Sequence, residues 1–168
     1  MQMPSHRYAH CTARIGSRIM IVVGHYGGGS YSNNVKQFDF GDDKGWTDLQ
    51  SLNYGRQHHS CQVGKFMEQE GIYVTGGSNS GHTLVEFYVP SADRWRILPA
   101  LAKNREYHSS SMIAGQLYVH GGSNSAAQST QESLNQTWSS GLNLRVSRYS
   151  HASVSLPEDS ISCLSNQG

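Results

Sequence analysis

One unit written several times over constrains this chain more than any local motif does. Arg-x-x-His occurs four times, as Arg7 to His10, Arg56 to His59, Arg105 to His108 and Arg148 to His151. The arginines lie 49, 49 and 43 residues apart. Trp46, Trp95 and Trp138 each stand ten positions before one of the last three arginines. A period of this length means that each copy is one supersecondary unit, which buries its apolar face only by stacking on its neighbours.

More of the unit recurs between these markers. A hydrophobic run enters a glycine pair in Gly71-Ile72-Tyr73-Val74-Thr75-Gly76-Gly77 and in Gln116-Leu117-Tyr118-Val119-His120-Gly121-Gly122. The first copy reads Arg18-Ile19-Met20-Ile21-Val22-Val23-Gly24-His25, with His25 in the place expected for the second glycine. Val35-Lys36-Gln37-Phe38 and Val85-Glu86-Phe87-Tyr88-Val89-Pro90 then lead towards the tryptophans. The third copy is shorter, and Gln128 to Ser133 fills that slot without apolar residues, so no strand is predicted there.

The ordered set resembles the kelch repeat: Arg-x-x-His, apolar-Tyr-Val-x-Gly-Gly, Val-x-x-Tyr-x-Pro, then Trp. The resemblance covers nearly the whole chain. It implies an all-β, kelch-type β-propeller whose units are four-stranded blades. The copies run over about 5–53, 54–102 and 103–145, with a partial fourth over 146–168. Rings of this kind need about six units, roughly 300 residues. The 168 residues supply a partial ring of about three blades. A fragment of a longer propeller is therefore expected, or a half-ring that self-associates through unpaired blade edges.

Composition agrees with an all-β chain. Glycine is abundant, at 18 residues, and only 15% of residues are charged against an ordinary ~25%. Strands are expected near 18–24, 35–40, 59–63, 71–76, 84–89, 108–113, 116–120 and 150–156. A net charge of +1 gives no field that favours nucleic acid. No apolar run approaches the ~18 residues of a membrane span. Cys11, Cys61 and Cys163 make an odd count and read as free thiols in a reducing, cytoplasmic setting. Against that stands one glycosylation sequon, Asn135-Gln136-Thr137.

The repeated residues have structural readings. Each Gly-Gly pair is expected to end the innermost strand, where a side chain would obstruct the turn. The tryptophans suit the gaps between wedge-shaped blades. The four histidines, related by the repeat, point to different sectors and do not form one metal or acid–base centre. Local motifs add little chemistry. His6 and His10 fall on a strand, not on a zinc-binding helix. The run Gly24 to Ser30 lacks the Lys-Ser or Lys-Thr of a phosphate loop. Ser109-Ser110-Ser111 has no nucleophile elbow. No catalytic residue, metal site or cofactor is expected.

The resemblance implies a non-catalytic protein-interaction module with a protein or peptide partner. Arg7, Arg56, Arg105 and Arg148 occupy positions that in kelch-like domains approach the ligand-binding face, and a guanidinium fork suits carboxylate groups. Loops are where function resides on a repetitive scaffold. Three of them are read here as sharing one face: 41–45 with Asp43, 91–94 with Asp93 and Arg94, and 64–70 with Lys65, Phe66 and Met67. The alternative is a piece of a kelch-like enzyme, of copper oxidase or sugar epimerase type, with Tyr8, Tyr107, His108 and Tyr149 as candidate ligands. A partial gene product without a role of its own is a third reading.

Overall fold

Short period-2 segments separated by glycine, serine and asparagine can bury themselves only by pairing with the segment next in sequence, and the chain does this three times over. The computed structural model describes residues 6–22, 25–26, 30–41, 44–79, 82–135 and 137–155. The first blade contains β2 (Cys11–Ile15), β3 (Arg18–Val22), β6 (Val35–Asp39) and β7 (Trp46–Leu49). A small second sheet forms from β1 (Arg7–Tyr8), ahead of the blade, with β4 (His25–Tyr26) and β5 (Ser30–Tyr31) from the link between β3 and β6. The second blade contains β8 (Ser60–Phe66), β9 (Gln69–Thr75), β10 (Val85–Val89) and β11 (Arg94–Leu98). The third contains β12 (Ser109–Ile113), β13 (Gln116–His120), β14 (Gln131–Asn135) and β15 (Thr137–Ser140). In every blade the strands are antiparallel and lie in chain order.

The first strands of adjacent blades, β2 with β8 and β8 with β12, approach one another. They are the inner strands, so the Gly-Gly pairs end the second strands, not the innermost ones as the sequence suggested. The ladder also moves the pair in the first copy. Cys11 faces Val22 where Ser60 faces Thr75. Counted on from there, the pair falls at positions 23–24 and not at 24–25; both residues lie outside the described set.

The core lies in the seams between blades. Val35 and Leu52 meet Ile72, Val74 and Tyr88 in one cluster, flanked by Trp95. Tyr73, Val85 and Phe87 meet Leu117, Val119 and Leu134 in the other, flanked by Trp138. The middle blade is covered on both faces, which is why β10 is buried at all five positions. The third blade is covered on one face, and β13 alternates instead. At the outer rim the tryptophans bridge the seams. Trp95 Nε1 donates to Gln50 O at 2.8 Å, and Trp138 Nε1 to Pro99 O at 2.7 Å.

Three further expectations are corrected. A strand does form in the third copy, at Gln131–Asn135, because its ladder needs only one apolar face: Leu134 packs inward while Ser133 faces away from that cluster. No strand is assigned over 150–155, where the described residues provide no ladder partner. Cys11 and Cys61 are not free thiols. They form a disulfide with a Cα–Cα distance of 5.9 Å, joining the inner strands of the first two blades. A closed loop of this length stabilises by about 4 kcal/mol on the chain-entropy model. No helix among the described residues is long and apolar enough to cross a membrane.

Candidate functional site

Antiparallel meanders put alternate connections at opposite ends of a blade. One end carries the links from second to third strands and from each blade to the next, and with them every Arg-x-x-His. The other end carries the β8–β9 turn and the links between third and fourth strands. The loops 41–45, 64–70 and 91–94 therefore lie at the end away from the repeat arginines. They are not the links from second to third strand or from blade to blade that the sequence suggested.

The Arg-x-x-His segments build the first end. The third residue of each, Ala9, His58, Tyr107 and Ser150, has φ between 53° and 55°. That left-handed turn costs a non-glycine residue about 1–2 kcal/mol. It aims each amide at the previous copy: His58 N donates to Ala9 O at 3.1 Å, Tyr107 N to His58 O at 2.9 Å, and Ser150 N to Tyr107 O at 2.8 Å. A chain of backbone hydrogen bonds thus passes from copy to copy.

Two of the arginines lie inside this framework. Arg56 and Arg105 are wholly excluded from solvent. Arg56 donates to Gly76 O, Leu84 O and Glu86 Oε1. Glu86 is itself buried, and its second oxygen accepts from the backbone and side chain of Asn53. Arg105 repeats the pattern with Gly121 O, Thr130 O and Glu132, whose other oxygen accepts from Ala102 N. These forks fasten the third strand to the start of the first, and their donors point inward. Arg7 is half-buried at the start of β1. Arg148 is exposed, and its Nε donates to Val146 O at 3.2 Å.

The histidines serve the seams. His108 Nε2 meets Thr75 Oγ1 of the preceding blade at 2.8 Å. Burial pushes its pKa down to about 3, with the Arg105 charge adding to the effect. The imidazole is therefore neutral. The glycine pair leaves room for this docking. A Cβ on Gly76 would stand 2.5 Å from Arg105 O, and one on Gly121 2.7 Å from Arg148 O.

Around this framework the same end gathers tyrosines. Tyr8, Tyr31, Tyr54 and Tyr149 are all exposed, at 55%, 41%, 40% and 58%. Tyr107 lies among them, stacked on His58 at 3.9 Å between centroids and edge-on to Tyr149 at 6.3 Å. Below the stack, Ser78 Oγ donates to Glu106, and His58 Nδ1 contacts that hydroxyl at 3.0 Å. A polar groove of about 680 Å³ opens nearby, lined by Asn104, Asn124, Gln128 and Thr130 among others. The other tyrosines with described side chains, Tyr73, Tyr88 and Tyr118, sit within the blades. The sequence reading weighed Tyr8, Tyr107 and Tyr149 only as metal ligands. Among the described residues no three His, Cys, Asp or Glu side chains converge on a common point.

The opposite end holds the remaining candidates. Lys65 and Phe66 belong to β8, and Met67–Glu68 is a two-residue hairpin turn with φ of 50° and 62°, as type I′ turns require. What the sequence presented as a loop is thus a lengthened hairpin. Phe66 leans on the core, 5.6 Å from Phe87, while Met67 is 76% exposed. A groove of about 700 Å³ runs beside them, lined by Tyr73, Pro99, Leu134 and Asn135 among others. Asp93 joins blades: its carboxylate accepts from Tyr88 OH at 2.7 Å and from Gln50 N at 3.0 Å. Arg94 opens β11, exposed. Asp43 lies outside the described residues.

No family model matches the chain. Kelch-like protein 21 of Danio rerio is 46% identical over 52 residues, which is 30% of this chain and 8% of that protein. Kelch-like protein 36 of Bos taurus is 27% identical over 127 residues, which is 71% of this chain and 20% of that protein. The chain thus spans a small part of each curated relative. Among solved structures, that of YjhT matches with a TM-score of 0.69 and 18% identity, covering 84% of this chain and 52% of YjhT. The class is an all-β, kelch-type propeller whose ring is not closed. At low overall identity, these relatives and this neighbour support a kelch-repeat family for the chain.

Proposed function

We propose that the chain is a non-catalytic protein-interaction module that receives its partner on the end bearing the Arg-x-x-His segments. The kelch-like relatives support an interaction role in general. The observation that supports this end is the gathering of Tyr8, Tyr31, Tyr54 and Tyr149 there, each at least 40% exposed. Tyrosine gives a large, stiff contact area with a polar tip and is enriched where proteins bind one another. Exposed Arg148 adds a cation, so the surface suits a segment with apolar side chains and a carboxylate. Arg56 and Arg105 support this end from within, since their donors are already engaged.

The test is a photo-cross-linker placed at Tyr54 in one variant and at Met67 in another, each exposed to extract from the source cells. Capture of the same protein at Tyr54 but not at Met67, abolished by Tyr149→Ala, is the expected result. Capture at Met67 alone would move recognition to the opposite end and overturn the reading.

A further inference from the structure

The position of the disulfide repeats along the chain with different chemistry. Forty-nine residues after Cys11 and Cys61 stand Ser60 and Ser110. Their hydroxyls meet at 2.6 Å across the second seam, as the two sulfurs meet across the first. The fourth copy departs from the series, since Ser153 Oγ donates to the backbone oxygen of Ser110 at 2.9 Å. One contact point between inner strands is therefore built into both seams between the three blades. The first seam fills it with a covalent bond where the second uses a weak hydrogen bond.

Two register positions that carry fastenings in the second blade hold other residues in the first. By ladder register, Lys36 stands where Glu86 and Glu132 stand: it faces Ile21 as they face Val74 and Val119. The buried Arg–Glu fork cannot form with a lysine there, and Lys36 pairs instead with Asp48 on the next strand. Val22 holds the register position of Thr75, which gives a hydroxyl to His108 in the second seam.

We propose that Cys11–Cys61 is a redox-controlled latch that holds the first blade against the second. Both cysteines are only partly buried, within reach of a small reductant or a dithiol protein. A reductant thiolate attacks one sulfur to form a mixed disulfide, and its second thiol then closes its own disulfide. Cys11 and Cys61 take up two electrons and two protons and become thiols. A disulfide oxidant of the same class reverses the step. Opening the latch leaves the first seam with its apolar packing and its non-covalent links, such as Trp95 and Asp93 on Gln50. Because β1 and β5 carry Tyr8 and Tyr31, blade docking also sets their place beside Tyr54. That last consequence rests on the interaction reading above; the latch does not.

The test uses the whole chain, purified without reductant. Alkylation under denaturing conditions is expected to label one cysteine, Cys163, and all three after reduction. Amide exchange is then followed by mass spectrometry with and without a phosphine reductant. Reduction is expected to speed exchange in β2, β3, β6 and β7 by about tenfold or more, with β10 and β13 unchanged. A C11S/C61S chain should behave as reduced in both conditions. Three labelled cysteines in the untreated chain would overturn the proposal, as would equal exchange of the first blade in both redox states.

Discussion

Arg56 and Glu86 meet at 2.5 Å with neither side chain exposed to solvent, joining the start of one blade to its third strand. Burial pulls the guanidinium below its ordinary pKa, and the Glu86 charge opposes that pull. Such a pair is a locking device more than a source of net stability, because desolvation consumes most of the Coulombic gain.

Removing one member is therefore far worse than removing both. Glu86→Ala strands a buried cation and is expected to cost about 3–5 kcal/mol in urea unfolding. The double change Arg56→Met with Glu86→Leu should cost less than that single change. Equal losses would mean that the two side chains are not coupled.

His108 links the seam to pH. Its folded pKa, about 3, lies below the ordinary imidazole value of 6.5, so the unfolded chain binds a proton that the folded chain refuses. The contribution is complete above pH 6.5 and is lost as pH falls towards 3. Between pH 6.5 and 5 the loss from this one group approaches about 2 kcal/mol. His10, His58, His120 and His151 are lowered too, mainly by burial, and act in the same sense. A His108→Asn chain should show a shallower fall in stability over that range; an unchanged slope would contradict a neutral, buried imidazole.

Two glycines with similar dihedrals should respond differently to alanine. Gly76 and Gly115 have φ of 56° and 75°, but only Gly76 has a backbone carbonyl 2.5 Å from the added Cβ, while Gly115 has nothing within 4 Å. Gly115→Ala is expected to cost about 1–2 kcal/mol from backbone strain alone. Gly76→Ala should exceed it by about 1–3 kcal/mol, since the seam has no space to yield. Denaturation midpoints of the two variants, read side by side, decide the matter.

The blade count, the tryptophan seams and the glycine pairs were legible because each repeats at one period. The buried fork was not. Glu86 and Glu132 read as ordinary strand charges, although each follows its arginine by 30 or 27 residues. Cys11 and Cys61 looked like isolated thiols, because their meeting depends on how one inner strand aligns with the next; the Ser60–Ser110 contact shows the rule. Gln131–Asn135 escaped notice because a blade face without an apolar neighbour needs few hydrophobic residues. The division of the candidate residues between two ends follows from counting strands, and β2, β7, β11 and β15 were not foreseen.

The central claim is that successive copies dock through Arg-x-x-His. NMR of the isotope-labelled chain can read the hydrogen bonds directly, as couplings across them from the Tyr107 amide nitrogen to the His58 carbonyl carbon and from Ser150 to Tyr107. Both couplings are expected, together with slow exchange of the Tyr107 amide. Absence of both, with rapid exchange of that amide, would mean that the copies do not stack in this way.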